Sequence, residues 1–402
     1  MELFLSLRVL KWVSVKFNLY LLMQFSEILG QESIKKQLLK SASDNRVAHA
    51  QLFIAPEGSG ALPLAIAYAQ YLICNNLGEN NSAKNRVCNL KFDSITHPDL
   101  HFVFPTVNTE KLKKAKSGDY IKLWREFILE NPYGGIDEWN EKLDVGNKQA
   151  TIRVEDASDI LKTLALKAVE GKFKIMLVWM AEKMNTDTAN KILKILEEPT
   201  DKTVFILIAE KEEDLLQTIR SRCQVVHLQK LSENNIADGL QKFKNIEVNL
   251  AQKIARQSQG NFAEALRILD RNEEESPFET WFVDWVRAAF RAKKNASSIK
   301  DLLIWSDTIA AIGREPQKKF LLYCISIFRQ ALLFNYETKS LVYFESSIGF
   351  KLENFAPFVN GNNIDDIYKE LSDAIYHIER NGNPKIILTD LSIKLTRLLH
   401  RK

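Results

Sequence analysis

The chain has 402 residues, which at roughly 100 to 200 residues per domain means two or three domains and excludes a single small module. Apolar residues make up 46% and charged residues 26%, so the chain can bury a sizeable core and is not a disordered tail. Lys and Arg number 55 against 51 Asp and Glu; a net charge of +4 is too small at this length to mark a nucleic-acid binder, so any basic surface must be local. Cys74, Cys88, Cys223 and Cys324 are widely spaced and follow no secretory cleavage motif. That spacing predicts free thiols in a reducing cytoplasm rather than a disulfide framework.

Residues 1–22 are apolar but carry Arg8, Lys11 and Lys16 spread through them. A membrane span needs about 20 apolar residues without such charges. A signal peptide puts its charge first and a small-residue cleavage site last. Neither pattern fits, so the segment is expected to be an extension outside the fold, with Met23 opening the folded chain and no membrane as partner.

Four short apolar runs, Gln51–Ala55, Leu100–Phe104, Ile175–Trp179 and Val204–Ala209, read as buried strands bounded by polar, Gly or Pro residues. Buried runs of this kind, alternating with helical patterns, predict a parallel sheet covered on both faces. Between the last two, Ala189, Ile192, Leu193 and Leu196 recur at helical spacing; Asn185 or Thr186 can cap that helix and Pro199 stops it. After about Leu228 the strand signals cease. Residues 250–260, 261–270, 318–334 and 386–400 each carry an apolar helical stripe, in which Phe320, Tyr323, Cys324, Ile327, Phe328 and Ala331 are one example.

Residues 106–150 interrupt the α/β half. They hold Lys111, Lys113, Lys114 and Lys116, then Tyr120, Leu123, Trp124, Phe127 and Ile128 on one helical face closed by Asn131 and Pro132. The lysines could meet DNA phosphates, but a charge run is more often a solvated face, and that is the expectation here.

The first strand runs into Pro56, Glu57, Gly58, Ser59 and Gly60, followed by a helical pattern. This is the place of a phosphate-binding loop, where glycines let backbone N–H groups curl round an anion at a helix N-terminus. The chemistry needs Lys and then Ser or Thr after the last glycine, to neutralise the terminal phosphates and hold Mg²⁺. Ala61 and Leu62 stand there instead, followed by Pro63. The metal and the attacking water need a carboxylate at the end of a neighbouring strand. Trp179 and Met180 occupy that place, and Glu182 comes too late in the chain to point there. Two losses at one site predict a nucleotide fold that has stopped hydrolysing nucleotide. Six scattered histidines and no Gly-x-Ser-x-Gly turn leave acyl transfer without support.

Residues 172–228, with their ANKILKILEEP segment and the Ser221-Arg222-Cys223 triplet, resemble the delta-prime family of bacterial DNA polymerase III clamp-loader subunits. Supporting pieces are FSEILGQESIKKQL from Phe25, RVAHAQLF from Arg46, THPDLHFVFP from Thr96 and TIRVEDA from Thr151. Together they cover most of residues 24–228, and the helical half resembles the family more loosely.

The resemblance implies a RecA-like AAA+ domain over residues 23–228, a small helical lid over 229–275 and an all-α collar over 276–402 for ring assembly. It implies a subunit without ATPase activity in a five-subunit ring, and no cofactor. Its partners would be tau/gamma-type ATPase subunits and a delta-type subunit, with the sliding clamp and primed DNA reached through the complex. ATP sites in that superfamily lie between subunits, and Arg222 would supply an arginine finger to a neighbour's γ-phosphate; Arg220 is the weaker candidate. Ala209 and Glu210 stand where active relatives carry a γ-phosphate sensor, and Ala263 where the lid would offer an arginine. Many members carry a four-cysteine zinc module; only Cys74 and Cys88 remain here, with His97 and His101 downstream, a poor match to paired ligands, and no zinc is expected. The rivals are an active tau/gamma-type ATPase and a metal-dependent nucleic-acid module built on Cys74 and Cys88.

Overall fold

The computed structural model describes residues 24–74, 82–110, 112–146, 148–270, 277–292, 295, 297–336 and 341–401. The expectation for residues 1–22 lies outside them. Two compact units divide the chain between Asp270 and Arg271.

In the first unit, β1 (Ala50–Ile54), β2 (Leu100–Val103), β3 (Lys174–Trp179), β4 (Thr203–Ala209) and β5 (Gln224–His227) form one parallel sheet in the order β2-β3-β4-β1-β5. The four apolar runs singled out in the sequence are the first four strands, and β1, β3 and β4 are buried along their whole length. Their side chains alternate between two cores: Phe53, Ile175, Leu177, Ile206 and Ile208 face one, while Leu52, Met176, Val178, Phe205 and Leu207 face the other. That is the pleat of a sheet covered on both sides. The edge strand β5 escaped the sequence reading because its burial is partial, with only Val226 fully inside.

The helices of this unit are α1 (Glu32–Ser43), α2 (Ala61–Cys74), α3 (Ser82–Asp93), α4 (Ile121–Glu130), α5 (Ile136–Leu143), α6 (Val154–Leu164), α7 (Thr186–Glu197) and α8 (Gln217–Arg220), then α9 (Glu233–Lys244), α10 (Val248–Gln257) and α11 (Phe262–Asp270). Asn185 caps α7 by accepting from Thr188 N at 2.8 Å, and the helix ends two residues before Pro199. Helices α9 to α11 enclose a core of their own, Ile236, Leu240, Ala251, Ile254 and Phe262, into which Leu29 and Tyr133 also pack.

One expectation about cysteine is corrected. Cys74, at the end of α2, and Cys88, in α3, form a disulfide; Cys223 and Cys324 are free. Helix α3 runs back along α2 and brings the two Cα atoms to 5.7 Å, a proximity that thirteen intervening residues did not reveal. The pair is therefore committed to itself, which removes the ligands on which the metal-module rival was built.

The second unit comprises α12 (Phe278–Ala292), α13 (Ser297–Ala311), α14 (Arg314–Asn335), α15 (Leu352–Phe355), α16 (Ile364–Glu379) and α17 (Pro384–Leu398), with no strand among its described residues. Phe320, Cys324, Ile327, Phe328 and Ala331 line its core from α14. Trp285 stacks on Trp305 at 4.7 Å between ring centroids, and their indole N–H groups donate to Ser392 Oγ and Trp281 O, so both rings are buried without an orphaned donor. Among the described residues no helix is long and apolar enough to cross a membrane.

Candidate functional site

The loop from Pro56 to Gly60 leaves the end of β1 and enters α2, as the sequence pattern requires, but it does not surround an open pocket. Gly58 and Gly60 take positive φ values of 67° and 89°. A side chain at either would collide: a Cβ on Gly58 would lie 1.9 Å from Asn261 Oδ1, and one on Gly60 would lie 2.8 Å from the Tyr133 ring. The glycines here admit neighbouring protein rather than a phosphate. Phe262 N donates to Gly58 O at 3.2 Å, and Gln31 Nε2 donates to Ser59 O at 3.2 Å and to Gln229 O at 2.6 Å. What remains of the cavity, among Glu57, Gly60, Leu62, Tyr133, Trp179 and Glu210, is about 30 Å³. That is the volume of about one water molecule, whereas small-molecule sites measure roughly 300 to 1,000 Å³.

The filler comes from the 106–150 insert. The turn Pro132-Tyr133-Gly134-Gly135 joins α4 to α5 and places Tyr133, 3% exposed, over Gly60 and edge-on to Phe262. Its hydroxyl accepts from Leu29 N at 2.9 Å, so the one polar atom of the plug is satisfied, and burial pushes the phenol well above its usual range. Beside it, Arg267 of α11 donates to Glu57 Oε1 at 2.5 Å, to Glu138 of α5 and to Glu264 Oε2 at 3.1 Å. Glu138 also accepts from Gly135 N at 2.8 Å. Burial opposes the charge on Arg267, but the Glu138 and Glu57 carboxylates outweigh it and raise its pKa; burial likewise opposes Glu138, and Arg267 brings it down. The lid position expected to lack an arginine, Ala263, does lack one, yet Arg267 one turn on is turned inward and spent on protein carboxylates.

Trp179 and Met180, expected where a metal-holding carboxylate would stand, are both built into the core. Trp179 ends β3 as part of an aromatic cluster with Trp124 and Phe127 of α4, at 5.0 and 5.8 Å between centroids, and Trp124 stacks on Phe104 at 4.3 Å. The end of β3 is thus the floor on which the insert packs. Met180 follows in a left-handed conformation, φ 56°, and is buried. Glu182 does not line the cavity, but its carboxylate reaches toward Glu210 N at 3.5 Å. Burial, reinforced by Glu57 and Glu182, raises Glu210 to about 7.

Ser221, Arg222 and Cys223 form the turn between α8 and β5. Arg222 Nε donates to Glu197 Oε1 at 2.5 Å and its Nη2 pairs with the same carboxylate, while Nη1 donates to Thr218 O at 2.8 Å. Arg222 and Glu197 both remain in solvent contact, with side chains 31% and 46% exposed. Arg220 is paired with Glu212, and burial lifts the Cys223 thiol to about 11, away from reactivity. Because β1 and β5 are parallel, the turn before β5 and the loop after β1 lie at opposite ends of that ladder, four residues or about 13 Å apart.

Tyr133, Glu138, Arg267 and Glu197 were not singled out from the sequence. An aromatic residue followed by two glycines could have signalled a turn, but nothing in the sequence says what it covers.

The family model described as DNA polymerase III, delta subunit, matches residues 30–232. The chain is 30% identical over 244 residues to the delta' subunit of DNA polymerase III from Bacillus subtilis (strain 168), across 61% of this chain and 60% of that one. It is 28% identical over 195 residues to the delta' subunit of Haemophilus influenzae, across 48% and 47% of the two chains, and 27% identical over 254 residues to the tau/gamma subunit of the same organism, across 61% and 30%. In each case the match spans less than two thirds of the relative's own length. With the phosphate loop and the Ser221-Arg222-Cys223 turn both inside a match that covers half of its length, the chain belongs to the DNA polymerase III delta-subunit family.

Proposed function

We propose that the chain is a delta-prime-type, noncatalytic subunit of the DNA polymerase III clamp loader. In this reading it assembles with tau/gamma-type ATPase subunits and a delta-type subunit in the cytoplasm. It helps place the sliding clamp on primed DNA, as one component of a DNA-directed DNA polymerase holoenzyme. The observation that carries the reading is the closed phosphate-loop corner: a 30 Å³ remnant roofed by Tyr133, with Ala61 and Leu62 in place of the cation and metal ligands. A site with neither room nor countercharge does not bind a triphosphate. This argues against an active tau/gamma-type ATPase.

Arg222 supports a role in trans. It stands at the opposite end of the β1–β5 ladder from its own phosphate loop, so it cannot serve that loop, and its planar fork matches phosphate oxygens as well as it matches the Glu197 carboxylate it holds now. Arg222 then exchanges Glu197 for a neighbour's γ-phosphate. Residues 229–275 act as the lid and 276–402 as the collar. Two measurements test this function. Calorimetry with Mg·ATP on the purified chain should show no binding at micromolar concentrations, and co-purification should recover a complex with tau/gamma- and delta-type subunits. Micromolar ATP affinity, or failure to assemble, overturns it.

A further inference from the structure

Arg222 is held on two sides by its own chain, and the two holds differ in what they do to its charge. Nη1 donates to Thr218 O at 2.8 Å, a backbone carbonyl of α8 that fixes the direction of the side chain without neutralising it. The other edge of the guanidinium, Nε and Nη2, is closed by one carboxylate oxygen, Glu197 Oε1, with Nε at 2.5 Å. Two parallel N–H donors on one edge are what a guanidinium offers to a carboxylate or to a pair of phosphate oxygens. Glu197 thus occupies, within the chain, the place of an anion that Arg222 would meet outside it.

Both sides of this pair are carried on fixed backbone. Glu197 is the last residue of α7, where unpaired helix carbonyls leave partial negative charge and disfavour a carboxylate, so Arg222 compensates an acid set in an unfavourable place. The end of that helix cannot drift: Leu196 is fully buried, its carbonyl accepts from His49 Nε2 at 3.0 Å just ahead of β1, and Pro199 bars a further turn. On the other side Arg222 N donates to Ile219 O at 3.1 Å and Cys223 N to Arg220 O at 3.2 Å, which closes the turn around the arginine. Glu198, the next residue and also exposed, makes no ion pair with Arg222, so the contact belongs to Glu197 rather than to a general crowding of acids.

Resting on the clamp-loader reading above and deepening it, we propose that Glu197 is a positioning residue for the neighbour's ATP site. Acting through Arg222, it holds the guanidinium in place while the neighbour's site is empty and competes with the γ-phosphate for the Nε and Nη2 edge. Because Thr218 O keeps its hold on Nη1, removing the carboxylate frees that edge without releasing the side chain. Glu197 therefore restrains the adjacent site, and its loss should speed that site rather than slow it.

The test is single-site ATP turnover next to this subunit, in the complex reconstituted with tau/gamma- and delta-type subunits. Glu197→Gln should raise kcat/KM at that site about 2- to 5-fold, the range in which an exposed ion pair resists exchange. In an Arg222→Ala background the same substitution should do nothing, since a residue that acts through Arg222 then has nothing to act on. Glu198→Gln removes an equal charge from the same helix end and should leave kcat/KM unchanged. Urea unfolding verifies that each variant is folded. An unchanged or lowered kcat/KM in Glu197→Gln, the same gain in the Arg222→Ala background, or an equal gain from Glu198→Gln overturns the proposal. The two readings fail separately. If the unmodified chain does not assemble, or Arg222→Ala alone leaves the adjacent site at the unmodified rate, the clamp-loader reading falls and takes the role of Glu197 with it. If Arg222→Ala slows the site and Glu197→Gln does not speed it, only the role of Glu197 falls.

Discussion

The phosphate-loop corner and the Arg222 turn each hold an arginine against glutamate, at opposite ends of the same sheet, and they differ in what surrounds the pair. Arg267 is joined to three carboxylates contributed by the loop, α5 and α11. Arg222 meets one carboxylate in contact with water. Partly buried and bonded to three carboxylates, the first arginine ties elements together and is costly to remove; somewhat more exposed and held by one carboxylate, the second contributes less to folding and can be exchanged for another anion. The first end is closed by charges satisfied within the chain, and the second leaves a charge able to change partners.

The largest test of this contrast is Arg222→Ala. In a reconstituted complex the ATP site next to this subunit should slow by about 10³ to 10⁵, measured by single-site turnover, while the chain's own stability shifts by less than about 1 kcal/mol. Arg222→Lys should rescue poorly because an ammonium lacks the planar fork. An assembled complex turning over at the unmodified rate would remove the arginine-finger role.

Next in size is Tyr133→Ala, which empties the plug and should cost about 3 to 5 kcal/mol in urea unfolding, still without ATP binding, because Ala61 and Leu62 supply neither cation nor metal ligand. Tight Mg·ATP binding by this variant would mean that the plug alone keeps nucleotide out. Arg267→Ala should cost about 2 to 3 kcal/mol by stranding Glu57 and Glu138, the partly buried counterpart of a broken internal ion pair. A cost no greater than that of Arg222→Ala would erase the distinction between the two ends.

The smallest effect is a pH dependence. Glu210 sits at about 7 in the folded chain against 4.5 for a free side chain. The folded state holds that proton more tightly, so the group's contribution to stability is fully present below about 4.5 and lost as pH rises through 7. Glu210→Gln should flatten the stability profile across that window and be more stable than the parent at pH 8. A profile that the substitution leaves unchanged would mean Glu210 is solvated rather than buried beside Glu57.

Much of this was legible in advance. Four strands, the capped helix ending before Pro199 and the α14 stripe could be read because burial on one or both faces imposes a period on apolar residues. That Ala61, Leu62, Trp179 and Met180 are not the side chains a phosphate and Mg²⁺ site uses could be read because those ligands demand particular residue types at particular places in a strand–loop–helix. The partners of those residues could not be read. Tyr133 lies 73 residues from Gly60, and Arg267 lies 210 from Glu57. The same limit hid the Cys74–Cys88 disulfide, where spacing argued for free thiols until α3 turned back along α2.

The sequence by itself determined the α/β-then-helical order, the parallel sheet and the absence of Lys and Ser or Thr after Gly60, since each depends on local periodicity or on the residue types at a few contiguous positions. Only the tertiary structure decided that Tyr133 of the 106–150 insert packs over Gly60, and that Arg267 meets three carboxylates while Arg222 meets one. Each of those outcomes depends on long-range closure, in which side chains distant in sequence meet and charge or volume is either compensated or left open.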